Sequence, residues 1–231
     1  MIHTPSGGQP VAGPEYLEST RFLDSAHESV RRFAQQTTSG EASDIGKAVK
    51  LFYAVRDGIR YDPFAIRLVP EIYVASHALA TQSAYCIPKG ILLAAAARAA
   101  GIPSAIGLAD VVNHLTTEKL KARMGGKTYF MHHGYAVLYL EGKWVKAAPA
   151  FNIELCTRFG VLPTEFDGRA HAIFQPYDAH DRLHMEYVKD HGMWSDFPYE
   201  KVAADFRAFY SASTYGEEEP GEKFEDGVRI T

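Results

Sequence analysis

Residues 86 to 103 read CIPKGILLAAAARAAGIP, and this run constrains the fold more than any other part of the chain. Its GILLAAAARAA stretch is dense in strong helix formers. Gly101 can take the left-handed conformation that ends a helix, and Pro103 prevents the helix from resuming. The pattern predicts a helix that begins at or near Cys86. A thiol placed there feels the partial positive charge of a helix N-terminus, which favours the nucleophilic thiolate.

The remaining elements are read around that helix. From Glu15 to Thr37, residues Tyr16, Leu23, Ala26, Val30 and Phe33 recur at helical spacing and predict one long amphipathic helix. Gly40 to Ser43 interrupts the pattern. Asp44 then fits an N-cap, and Ile45, Val49 and Phe52 mark a second helix ending near Gly58. Tyr61-Asp62-Pro63 forces an extended or turned backbone. After Pro103, Ala105 to Val112 reads as a short strand, followed by a polar, partly helical insert, TTEKLKARMGGK. From Tyr129 to Leu140 the residues alternate, with His133, Tyr135, Val137 and Tyr139 on one face and Ala136, Leu138 and Leu140 on the other. Glu141-Gly142 is a compact turn, and Lys143 to Ala148 returns as a hairpin partner. Residues 153 to 195 lack periodicity and read as loops and short elements. A late helix is expected from about Glu200 to Ser213, with Val202, Phe206 and Phe209 along one side. These features give one α+β domain over residues 15–213, with a Gly/Pro-rich arm at 1–14 and an acidic, mobile tail at 214–231.

Composition narrows the function classes. With 24 Lys and Arg against 28 Asp and Glu, the formal charge is -4, and no dense basic run exists to track a phosphate backbone. Nucleic acid is therefore not an expected partner. No stretch has the apolar length of a membrane span, and the first residues lack the basic and apolar regions of a signal peptide, so a cytoplasmic protein with no membrane partner is expected. Only two cysteines occur, Cys86 and Cys156. Cys156 has no helix start or partner in view and reads as structural.

An imidazole can activate Cys86 by taking the thiol proton and later protonating the leaving group. His133 is the candidate base, because it shares a strand face with three large side chains that could fix its orientation. The same residues also fit a plainer reading, in which Cys86 is a small buried core residue and His133 a structural one. His132 and His133 with His114, or His180 with His184, could be assembled into a metal site. Adjacent strand histidines point to opposite faces, and HDRLH carries no acidic residue in the arrangement of a zinc protease, so no metal and no cofactor are expected.

Three motifs occur in a telling order: AVRDGIRYDP at 54–63, YCIPKGILLAAAARAAGIP at 85–103 and HGYAVLYLEGKWVKAAP at 133–149. Together they resemble the transglutaminase-like superfamily, which is related in fold to the papain-type cysteine enzymes. The resemblance covers about residues 45–152. It implies an α+β core in which N-terminal helices and a nucleophile-bearing helix pack against an antiparallel sheet. It also implies a cysteine nucleophile and a strand-borne histidine base, here Cys86 and His133. The family usually carries an Asp before a Pro on the strand after the Trp, where it orients the histidine. This chain has Ala148 before Pro149 instead. Asn152 is the candidate replacement, as the Asn of papain-type enzymes would be. The backbone N–H of Cys86 is a natural oxyanion donor, and Gln82 is the candidate second donor.

The expected function is cysteine-dependent acyl transfer on an amide or peptide carbonyl through a Cys86 thioester, with hydrolysis slightly favoured over transamidation. The substrate is then a peptide or small amide. The alternative is a binding or scaffolding module that keeps the fold and has lost turnover, which Ala148 motivates.

Overall fold

The computed structural model describes residues 11–114, 117–173 and 185–215. A single 3-10 turn at Pro14–Tyr16 precedes α1 (Glu28–Thr37) and α2 (Asp44–Gly58). Of the helix expected over 15–37, only the C-terminal 10 residues are α-helical. Tertiary contacts claim the rest: Asp196 Oδ1 accepts hydrogen bonds from Thr20 Oγ1 and the Phe22 N–H, and the Phe22 ring packs on Phe197 and Tyr199. At α2 the cap is Ser43, whose side chain accepts from the Gly46 N–H, and Asp44 is the first helical residue.

Two short strands follow, β1 (Arg60–Tyr61) and β2 (Ser83–Ala84), paired in parallel with α3 (Ala75–Thr81) between them. Next comes α4 (Cys86–Ala99), which starts at the predicted residue. Every residue of α4 from Cys86 to Arg98 is buried. Such a helix is apolar all round because α1, α2 and α3 enclose it on one side and the sheet on the other.

Its two cations are reconciled with burial through main-chain carbonyls. Lys89 Nζ donates to Arg56 O at 2.9 Å and Ile59 O at 2.5 Å, which caps the end of α2. Arg98 donates to the carbonyls of Ser104, Glu18 and Ser195.

The sheet holds β3 (Ser104–Asn113), β4 (Tyr129–Leu140), β5 (Lys143–Ala147) and β6 (Met185–Trp194), ordered β5-β4-β3-β6 and antiparallel throughout. Between β3 and β4 lies α5 (Glu118–Arg123), in the expected polar insert. Glu141 and Gly142 both take positive φ at the hairpin turn, as a compact two-residue turn requires. The 153–195 segment contains two elements that the sequence did not reveal, α6 (Ile153–Phe159) and β6. The last helix, α7 (Tyr199–Phe209), ends four residues before the expected Ser213.

One face of the sheet meets α4, and the other carries a smaller cluster of Ala105, Ala109, Tyr135, Val137, Trp144 and Ala148. Tyr135 and Val137 thus share a face, as alternation predicted. Tyr16 covers part of it, edge-on to Trp144 at 4.8 Å. The expected arm and tail lie mostly outside the described residues, although Ala12 packs on this cluster and Thr214 is buried, its hydroxyl donating to Arg123 O. No helix among the described residues is long and apolar enough to cross a membrane.

Candidate active site

Cys86 is the first residue of α4. Tyr85 is the N-cap, in extended conformation, and its side chain does not cap the helix. The start of α4 is held tightly against β4. A Cβ on Gly134 would fall 2.6 Å from Ile87 Cα, so only glycine allows the two backbones this approach.

The same closeness brings the Gly134 N–H to the Cys86 sulfur, and it joins the Ile87 N–H in favouring the thiolate. Burial is the larger influence, and it pushes the thiol up to about 11. The helix-start field is therefore present but outweighed, because desolvation disfavours the charged form.

His133 lies on β4 opposite Ala109 of β3, with its ring edge-on to Tyr187 at 5.9 Å. It is 6% exposed, and burial pushes its imidazole down to about 3. Cys86 and His133 line one cavity together with Tyr61, Phe130, His132 and Tyr210. The cavity offers about 60 Å³, room for a few waters and far below the roughly 300 Å³ of a small-molecule site. With burial pushing the thiol up and the imidazole down, proton transfer from one to the other is disfavoured in the buried cavity. The resting pair is thus neutral thiol and neutral imidazole, and burial is the main cause on both sides.

The other sequence candidates lie elsewhere. Asn152 stands at the start of α6, where its Oδ1 accepts from the Tyr61 N–H at 3.1 Å and its Nδ2 donates to Glu154 at 2.7 Å. It ties α6 to β1, next to two cavity residues, Tyr61 and Phe151, and is not itself part of the lining. Gln82 is exposed, left-handed at φ 52°, and caps the end of α3 outside the cavity lining. Ala148 is buried in the cluster on the sheet's second face, and its N–H donates to Ala172 O. Cys156 is buried in α6, and burial raises its thiol to about 11 as well.

Sequence reasoning missed the polar groups beside His133. His132 has φ 57° at a register shift in which β4 carries one residue more than β3. Its Nε2 lies 2.7 Å from Asp205 of α7, and its backbone N–H donates to Asp110 of β3. Asp110 also accepts from the Tyr129 hydroxyl and lies 2.8 Å from His191 Nε2 of β6. The only signal available was the HH dipeptide itself, since its partners come from three distant segments. His114, weighed with this pair, instead faces Glu186 at 3.8 Å, and His180 and His184 lie outside the described residues.

The profile of the transglutaminase-like superfamily matches residues 31–149, just over half of the chain, and includes both Cys86 and His133. The chain belongs to the transglutaminase-like superfamily. Among solved structures it is similar to a "putative cysteine protease" from Cytophaga hutchinsonii, at 13% identity and a TM-score of 0.45, over 78% of this chain and 53% of that one. It is also similar to a "putative protease" from Parabacteroides distasonis, at 17% identity and a TM-score of 0.40, over 58% of this chain and 26% of that one. The chain therefore spans about half the length of the first and a quarter of the second. No curated protein matches. The superfamily and the mixed helical and antiparallel architecture agree with the fold class expected from the three motifs.

Proposed function

We propose that this member of the superfamily is a cysteine-dependent acyl-transfer enzyme acting on an amide or peptide carbonyl. The observation that carries the reading is the shared cavity, onto which the first residue of α4 and the histidine of β4 both open. Cys86 Sγ attacks the carbonyl carbon as His133 takes the thiol proton. The C–N bond then breaks, the amine leaves with that proton, and an acyl thioester remains on Cys86. Water, deprotonated by His133, hydrolyses the thioester and restores the thiol. An amine in place of that water would give transamidation through the same thioester.

The neutral resting pair defines when chemistry can begin. Burial separates the two groups' proton affinities, so a polar substrate or water entering the cavity draws both back toward ordinary values. Turnover requires this cavity to widen enough to admit the substrate. Asn152 could orient the imidazole only by giving up its bond to the Tyr61 N–H, and Gln82 could serve the oxyanion only by turning inward.

A second reading, a binding module without turnover, is favoured by Ala148 and by the same neutral pair. Screening peptide and simple amide substrates separates the two. Turnover that disappears in Cys86→Ala supports the enzyme, turnover equal in both proteins contradicts Cys86 as the nucleophile, and turnover absent from both while a peptide still binds supports the module.

A further inference from the structure

Two buried imidazole nitrogens beside the cavity lack hydrogen-bond partners. His132 Nδ1 has none, and its side chain is 0% exposed. His191 Nε2 has no hydrogen-bond partner either, although it lies at ion-pair distance, 2.8 Å, from Asp110 Oδ1. One donor atom from each of Asp110, His132 and His191 falls within 4.8 Å of the others.

Leaving such atoms buried and unmatched is costly, because each gives up its bonds to water without replacement. A plain ion pair between His191 and Asp110 would account for one of them and would leave His132 Nδ1 unexplained. A cation accounts for both.

We propose that Asp110, His132 and His191 form a binding site for a divalent transition-metal ion, with zinc the best chemical match. Two imidazoles and one carboxylate suit zinc's preference for nitrogen and oxygen donors. Around zinc, donors at about 2.0–2.2 Å stand roughly 3.3 Å apart, so the His191–Asp110 contact opens by about half an ångström and the widest separation, within 4.8 Å, closes by up to about 1.5 Å.

The surroundings are those of a built site. Asp205 takes the Nε2–H of His132, which leaves the lone pair on Nδ1. Lys201 in turn holds Asp205, at 2.7 Å. The Tyr129 hydroxyl and the His132 N–H fix the Asp110 carboxylate. Because His132 also lines the cavity, the ion sits in the wall of the proposed active site without using Cys86 or His133.

The test uses the full chain, stripped with a chelator and titrated with Zn²⁺ alone against a chromophoric competitor, then with Co²⁺ to read its visible absorption. The expected result is one ion per chain. His191→Gln abolishes binding, Asp205→Asn weakens it roughly ten-fold by freeing the imidazole, and Cys86→Ala leaves it unchanged. Circular dichroism of each variant confirms that it is folded. Binding that is absent, that is equal in folded His191→Gln, or that depends on Cys86 overturns the proposal. None of these readouts involves acyl transfer, so the site stands or falls separately from the catalytic reading.

Discussion

Gly134 of β4 meets Ile87 of α4 so closely that a Cβ on Gly134 would lie 2.6 Å from Ile87 Cα and 3.1 Å from Ile87 N. Those neighbours are backbone, which cannot swing aside as a side chain would. This contact fixes the start of α4, and with it Cys86, relative to the strand that carries His133. Gly134→Ala is expected to destabilise the protein by about 2–3 kcal/mol through overpacking. It should also speed Cys86 alkylation by admitting water as α4 shifts. Chemical denaturation and labelling rates read the two effects, and an unchanged midpoint would remove Gly134 from this role.

Lys89 couples the nucleophile helix to the end of α2. Lys89→Met leaves the Arg56 and Ile59 carbonyls without their buried donor and should cost on the order of 3 kcal/mol.

The same lysine predicts a pH dependence. Burial lowers the amine from 10.5 to about 7 in the folded protein, so the unfolded chain binds more protons between those values. The linked stability is complete above 10.5, falls with pH, and is gone below about 7. Cys86 and Cys156 act oppositely: their thiols rise from 9 to about 11, so their contribution is lost as pH climbs through that window. Urea midpoints should therefore rise from pH 7 to about 9 in the native protein and fall above that, where the two thiols outweigh the one amine. In Lys89→Met the rise should vanish, and an identical slope in both proteins would contradict the assignment.

Asn152→Ala is expected to cost about 1–2 kcal/mol, because it leaves the Tyr61 N–H unmatched. Gln82→Ala should change neither stability nor turnover by more than a small factor, since the side chain is exposed and its backbone makes the bonds of the α3 cap. A large loss of turnover in Gln82→Ala would restore it to the oxyanion role.

What the sequence revealed was local. The start of α4 at Cys86, the end of α2 at Gly58 and the Glu141-Gly142 turn each follow from residues within a few positions of one another. What it concealed was set by distant partners. The 17–27 segment matches a helical pattern, but Asp196 and Phe197 hold it in another conformation. In β6, the sequence MEYVKDHGMW lacks clean alternation because its pairing with β3 shifts register twice. At the candidate site, the positions of Cys86 and His133 were readable from motif order. The displacement of their proton affinities was not, since burial depends on the whole fold. Nor could the HH dipeptide reveal Asp110, Asp205 and His191, which arrive from β3, α7 and β6.

The central claim is that Cys86 forms an acyl thioester with His133 as its base. Its most direct test is mass-spectrometric mapping of the adduct after brief reaction with an activated peptide ester and acid quench. The account predicts an acyl group on Cys86 and none on Cys156, with formation slowed about 10²–10⁴-fold in His133→Ala. An adduct absent from Cys86, shared equally with Cys156, or formed at the same rate without His133 would contradict it.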